Sequence, residues 1–335
     1  MWYAYYHIVI FLGGNVMKNS IIGNTPMIKL NYEYKGENKY IYSKLEYFNL
    51  TGSIKDRVAY YIIKNAEKRG ALRKGMSIVE ATSGNTGIAL AAIGSFYGYQ
   101  THIFMPDWAS KERVKLMKGY GANVTLYSKD EGGFLKCVKE AQKMSEDKNV
   151  FLANQFANKD NFLAHYETTA QEIINQVPEK LYGFVSGVGT GGTLMGNGIR
   201  LKEEFKNLKL VAIEPDKMPI ISKGIIIGSH KIEGIGDDFV PDLIDKKEID
   251  DILLVNDDDA INMSRKLAKD LGLGVGISSG ANLIGSILLN ENINKPICTV
   301  FADDNKKYLS TDLSKPIDNN PNFISNQIKL KSYEI

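Results

Sequence analysis

Cysteine is scarce in this chain. Its 335 residues hold only Cys137 and Cys298, too few and too far apart for a disulfide framework or a paired-cysteine metal clip, and a reducing cytoplasm suits them. Histidine is nearly as rare: His7, His102, His165 and His230 show no metal-ligand spacing, so no metal is expected. Charge of one sign is also missing. The 41 basic and 39 acidic residues leave a formal net charge of +2 with no basic arm, which removes the usual footprint of nucleic-acid binding. No membrane span is expected either. The opening MWYAYYHIVIFLGGNV (1–16) is apolar but falls short of about 20 residues, and it lacks the basic start and small-residue cleavage site of a secretory signal. Met17 opens a more ordinary sequence, so residues 1–16 are expected to be a leader outside the core, dispensable for activity.

What is present is an ordinary globular composition, 44% hydrophobic and 24% charged, long enough for two domains. Short β-rich runs alternate with amphipathic ones: KYIYSKLEY, DRVAYYIIKNAEKRGAL, MSIVEA, TGIALAAIGSFYGY, THIFMP. A long helical run is expected at FLAHYETTAQEIINQV, and a second series follows it, from YGFVSGV to PICTVFADD. This alternation predicts an α/β fold with largely parallel sheets flanked by helices, in two layers with a cleft between them. No internal repeat or low-complexity segment interrupts it. The polar, turn-rich end, 321–335, is expected to be a surface tail that lies over the fold or frays.

Three segments carry chemistry. In NLTGSIKDR, Lys55 follows a Gly-Ser turn and opens a helical run; taken alone, such a lysine is more often a solvated surface group. In EATSGNTG (80–87), exposed backbone N–H groups and hydroxyls between a strand and a helix can receive a carboxylate, or simply cap the helix. In GVGTGGT (187–193), glycines allow close backbone approach to a phosphate while Thr190 and Thr193 add hydroxyls. A nucleotide would be an alternative guest, but the spacing matches neither the P-loop nor the complete dinucleotide fingerprint.

These segments, with GNTPMIKL, AHYETTAQEI, GIGDDFVP, GISSGAN and YLST, occur in the order and spacing of one family. From about Ile21 to Thr311 the chain resembles the cysteine synthase and cystathionine β-synthase group of pyridoxal 5′-phosphate (PLP) enzymes. The resemblance implies the two-domain fold of the tryptophan synthase β-subunit type. A larger PLP-binding domain would comprise 17–50 and 160–320, and a smaller, mobile substrate-binding domain 51–159. It implies homodimers and a small amino-acid substrate. It also implies roles: Lys55 as the Schiff-base lysine that later moves the α-proton; Asn85 on the cofactor's phenolic oxygen; Gly189, Thr190, Gly191, Gly192 and Thr193 as the phosphate cup; Ser278 facing the pyridine nitrogen; Thr82, Ser83, Thr86 and Gln155 on the substrate carboxylate. A neutral serine at the pyridine nitrogen makes a weaker electron sink than an aspartate would, favouring loss of a β-substituent to give an aminoacrylate over racemisation or transamination.

The chain departs from the family pattern twice. Leu50 stands where a proline is common before the Thr-Gly-Ser turn, which removes no catalytic group. The loop that often reads Gly-Ile-Gly-Ala-Gly-Phe or Gly-Ile-Gly-Tyr-Asp-Phe here reads Gly234-Ile235-Gly236-Asp237-Asp238-Phe239. Asp238 has precedent and counts among the substrate-binding residues, which keeps cystathionine or lanthionine formation open. Asp237 has none. It is either an exposed acidic turn or a carboxylate beside the β-carbon, where it would repel a sulfide anion and serve water, a nucleophile that needs a base. The favoured activity is therefore release of sulfide from L-cysteine with water addition to give L-serine. The rivals are cysteine synthase, using O-acetylserine and sulfide, and a non-catalytic binding protein, against which the complete cofactor set argues. The run Asp257-Asp258-Asp259 reads as a helix start favoured by the macrodipole.

Overall fold

The first two strands of the described residues are β1 (Met27–Tyr34) and β2 (Glu37–Leu45), joined by Lys35 and Gly36. Both turn residues have positive φ, 51° and 80°, the two-residue geometry whose twist matches that of the flanking strands. The computed structural model describes residues 21–316, 318 and 320–335; the expected leader, 1–16, lies outside them. Further strands are β3 (Ser77–Ala81), β4 (Gln100–Pro106), β5 (Asn123–Tyr127), β6 (Val150–Leu152), β7 (Gly183–Gly187), β8 (Lys209–Pro215), β9 (Asp251–Val255), β10 (Ile297–Phe301) and β11 (Ile328–Glu334).

They form two sheets. The larger has the order β11-β1-β2-β10-β7-β8-β9 and the smaller β5-β4-β3-β6. Every pair in the smaller sheet is parallel. In the larger, β2 to β9 run parallel, and the only antiparallel pairs are β1 with β2 and with β11. All strands of the smaller sheet fall between 77 and 152, within the segment 51–159 assigned to the substrate side.

Parallel sheets need cover on both faces, and the sequence provides it. Strand β10, ICTVF, is buried throughout, with the helix Ile277–Ile293 against it. On the smaller sheet, helix α1 (Lys55–Lys68) packs on α2 (Asn85–Tyr97) through Val58, Ile62 and Ile63 against Leu90 and Ile93, all fully buried. Each such side chain contributes about 1.5–3 kcal/mol of burial. Helix α2 is largely apolar, as a helix mostly enclosed by protein must be, with Ser95 and Phe96 exposed in its last turn, and Gly98 ends it in the left-handed conformation at φ 77°.

Two expectations change. The long helical run at 162–177 is broken into Lys159–Ala164, a wider π turn His165–Thr169, and Ala170–Gln176. The Thr168 hydroxyl donates to the Ala164 carbonyl, a side-chain bond that competes with the helical ladder. The terminal segment does lie on the surface, but it does not fray: β11 pairs with β1 from Lys29↔Glu334 to Tyr34↔Ile328, and Ile328 is buried. The helix over 277–293 was not among the expected elements. The acidic run behaves as expected, opening the helix Asp257–Leu271, with Asn256 Oδ1 accepting from the N–H groups of Asp258 and Asp259.

Both cysteines are buried and unpaired, Cys298 on β10 and Cys137 on helix α4 (Gly133–Met144). Burial pushes their thiols up to about 12 and about 11. Among the described residues no helix is long and apolar enough to cross a membrane, and no His, Cys, Asp or Glu cluster is arranged to hold a metal ion.

Candidate active site

Lys55 is the first residue of α1, and its neighbours fix it there. Thr51 donates to Asp56 through both its N–H (2.8 Å) and its hydroxyl (2.6 Å), clamping the Thr-Gly-Ser turn. Burial pushes the Asp56 carboxyl up to about 6. One turn face further, Arg57 is buried between two carboxylates, with Nε to Glu46 at 2.7 Å and Nη1 to Glu172 at 2.6 Å, the bidentate style of pairing that suits guanidinium. Burial also lowers the proton affinity of the Lys55 amine, while the carboxylates of Asp303 and Asp237 oppose that effect.

One cavity gathers the predicted residues: Lys55, Thr82, Ser83, Asn85, Thr86, Gln155, Gly189, Thr190, Gly191, Thr193, Asp237 and Ser278 all line it. Strand β3 runs into the Thr82–Asn85 turn, and α2 starts from it. The Thr86 hydroxyl donates to Gln155 Oε1 at 2.5 Å and Gln155 Nε2 donates to the Ala81 carbonyl at 3.1 Å, so these groups are mutually ordered. Beneath them Glu80, buried and pushed up to about 7 by that burial, accepts the N–H groups of Ala81 (2.8 Å) and Gln155 (3.0 Å).

On the opposite wall β7 leads into the glycine turn, which caps the helix Gly192–Glu204. The turn is compressed from behind. A β-carbon on Gly192 would lie 2.0 Å from Asn161 Oδ1, and one on Gly189 would lie 2.3 Å from the Gly234 carbonyl oxygen. Asn161 Nδ2 holds the Thr190 hydroxyl at 2.8 Å, and His165 Nε2 sits 3.3 Å from that of Thr193. A helix N-terminus with free N–H groups and two oriented hydroxyls is built for a dianion. Gly192 itself does not line the cavity but packs behind it.

The acidic loop splits. Asp237 lines the cavity, and burial followed by the neighbouring Asp238 pushes its carboxyl up to about 6, with Lys55 pulling the other way. Asp238 is exposed and borders an adjoining outer chamber, which Ser83 and Asp237 also line; it does not line the inner cavity that holds Lys55. His230 holds this loop, its Nε2 lying 2.8 Å from the Gly236 carbonyl oxygen while its Nδ1 accepts from the Ile232 N–H at 3.2 Å. Sequence reasoning set His230 aside for lack of metal spacing. It also passed over Glu80, Arg113, Asn161, Glu233 and Asp303. Of these only Glu80, the first residue of the EATSGNTG motif, and Asp303, just after a strand, left any local signal.

The residues fit a phosphate-bearing pyridine aldehyde: an amine at Lys55, a cup compressed to admit an anion, a buried hydroxyl at Ser278, and a buried Asn85 Oδ1 that no protein group satisfies. The family model described as pyridoxal-phosphate dependent enzyme matches residues 19–303. The chain belongs to this family. Cysteine synthase of Staphylococcus aureus is 40% identical over 296 residues, 88% of this chain and 95% of that protein. A hydrogen sulfide-producing enzyme from Fusobacterium nucleatum, of known crystal structure, is 47% identical, with a TM-score of 0.90 over 93% of this chain and 95% of that one. An aspartate-to-asparagine mutant of that enzyme, complexed with an α-aminoacrylate intermediate, is equally similar, with a TM-score of 0.90. The chain is thus a PLP-dependent enzyme of the cysteine synthase type.

Proposed function

We propose that this enzyme releases sulfide from L-cysteine and adds water to the β-carbon, forming L-serine. The carbon–sulfur bond breaks, a carbon–oxygen bond forms, and no oxidant or reductant is needed. Pyridoxal phosphate, when bound, supplies the electron sink that makes the α-proton removable. Lys55 Nζ takes that proton, and Thr82, Ser83, Thr86 and Gln155 fix the substrate carboxylate so that the α-carbon faces the amine. Gly189 to Thr193 hold the phosphate, with Gly192 contributing close packing rather than a wall.

The observation that carries this reading is the position and proton affinity of Asp237. A carboxyl near 6 in a cavity shared with Lys55 is ionised at neutral pH yet more basic than an ordinary aspartate, which suits a base that draws a proton from water. An exposed acidic turn would have neither property. The sulfide-producing relative points the same way. Cysteine synthase activity is the second reading, favoured by the curated relative of that name.

Product analysis separates them. Incubation of the PLP-loaded enzyme with L-cysteine alone should yield serine and sulfide in equal amounts, and Asp237→Asn should lower serine formation about 10²–10⁴-fold. Pyruvate in place of serine, or undiminished serine from Asp237→Asn, would overturn the proposal. Faster cysteine synthesis from O-acetylserine and sulfide than serine formation from cysteine would favour the second reading.

A further inference from the structure

Asp303 lies two residues beyond the end of β10, directly after Ala302 of the cavity wall, is buried to 1% exposure, and belongs to none of the motifs that led to the site. Its backbone is pinned on both sides: it forms an isolated antiparallel bridge with Ser53, and its carbonyl accepts the Gly276 N–H at 2.9 Å. Its carboxylate reaches two other elements. Oδ2 accepts the Tyr308 hydroxyl at 2.7 Å and Asn85 Nδ2 at 2.8 Å, whereas Oδ1 is buried with no hydrogen-bond partner. Gly276 leaves room for Oδ1, since a β-carbon there would lie 2.0 Å from it.

Two consequences follow from this geometry. A carboxylate oxygen that already receives a phenol proton accepts and does not donate, so the Asn85 amide must turn its NH₂ towards Asp303. That fixes which way the amide faces the cavity. The second consequence is electrostatic: the Ser53 bridge and the Ile54 N–H bond to the Ala302 carbonyl at 2.8 Å hold Asp303 alongside the start of α1, and a buried negative charge there is screened from Lys55 far less than a surface charge. We propose that Asp303 is a positioning residue, orienting Asn85 and supplying the fixed negative charge that stabilises the proton Lys55 takes up. The role is independent of whether water or sulfide is the nucleophile. It rests on Lys55 as the reactive amine, which reductive labelling tests separately.

The charged and titratable groups around this pair include Asp304, next in the chain, whose Oδ1 lies 3.4 Å from Lys307 Nζ, and Asp56, next to Lys55 and under the influence of Lys307. Lys55 is influenced by Asp303 first and Asp237 second, and its charge in turn acts on His165. Asp303 meets Tyr308, over whose ring the Arg113 guanidinium lies at 4.6 Å. Asp303→Asn keeps the shape and removes the charge. It should move the pH at which the visible absorbance of the PLP-loaded protein changes towards acid by about one unit or more. The kcat should fall about tenfold or more while KM for L-cysteine stays within about twofold. A midpoint at or above the wild-type value would overturn the proposal, since a merely structural aspartate has no reason to shift it. If Asp303→Asn does not fold, Tyr308→Phe decides. Removing a donor concentrates charge on Asp303, so the midpoint should move towards alkali, and one at or below wild type would overturn the assignment.

Discussion

The side chain of Arg113 fills the space that a β-carbon on Gly84 would need: such an atom would lie 2.2 Å from Cδ and 2.5 Å from Nε. Arg113 is buried on α3 (Lys111–Gly119) and pairs with Glu233, four residues before Asp237. The Thr82–Asn85 turn and the loop carrying Asp237 are therefore joined through one guanidinium. Gly84→Ala should displace it, raising KM for L-cysteine and costing about 1–3 kcal/mol of stability, seen as a Tm about 2–4 °C lower. An unchanged KM in steady-state kinetics would show that the two loops are not coupled in this way.

The pH dependence of Asp237 has two faces. As a base it works only when ionised, so serine formation should decline as pH drops below about 6, a limb that Asp237→Asn lacks. Stability runs oppositely. A carboxyl whose folded-state proton affinity is raised stabilises the fold at acid pH, and that contribution is lost as pH rises from the ordinary aspartate range through about 6. Asp237→Asn should therefore melt higher than wild type at pH 8, with the gap closing by pH 4. Thermal melts at the two pH values check it, and equal gaps would refute the linkage.

Reductive fixing of the cofactor should mark Lys55. Borohydride treatment of the loaded protein, followed by peptide mapping, is expected to place the label on the peptide containing TGSIK, and Lys55→Ala should leave no label while abolishing turnover. Label on any other lysine would remove the mechanism's central residue.

Gly189 offers a sharper test of the phosphate cup than its threonines do. Its neighbour is a carbonyl oxygen of the backbone, which cannot swing aside as a side chain can. Gly189→Ala should weaken PLP retention about 5–150-fold, the counterpart of about 1–3 kcal/mol of overpacking, as measured by equilibrium dialysis. Because that carbonyl belongs to Gly234, serine formation should suffer even at saturating cofactor.

The α/β alternation and the family motifs were legible in the sequence because each is local: strand, glycine turn and helix start follow one another within a few residues. The motif order then brought Lys55, Asn85 and Ser278 into one expected site. The missed partners are those that local spacing cannot reveal. Asn85 and Asp303 are 218 residues apart and meet at 2.8 Å; Arg113 and Glu233 come from different elements. His230 was passed over because its role depends on where the Gly236 carbonyl turns. The two aspartates of the acidic loop are adjacent in sequence, yet one enters the cavity and the other faces solvent, since successive residues of an extended loop point apart. The helix 277–293 escaped notice because its glycines and serines weaken helix propensity, and burial against β10 overrides that weakness.

The buried cysteines bear on the enzyme's own chemical durability. Under the proposed reaction the protein would work among reactive sulfur species, which attack ionised, accessible thiols. With Cys137 raised to about 11 and Cys298 to about 12, and both enclosed, the only two cysteines of the chain are almost wholly protonated at neutral pH. Neither should take up a thiol-reactive label before denaturation, and persulfide should not accumulate on the folded protein during turnover.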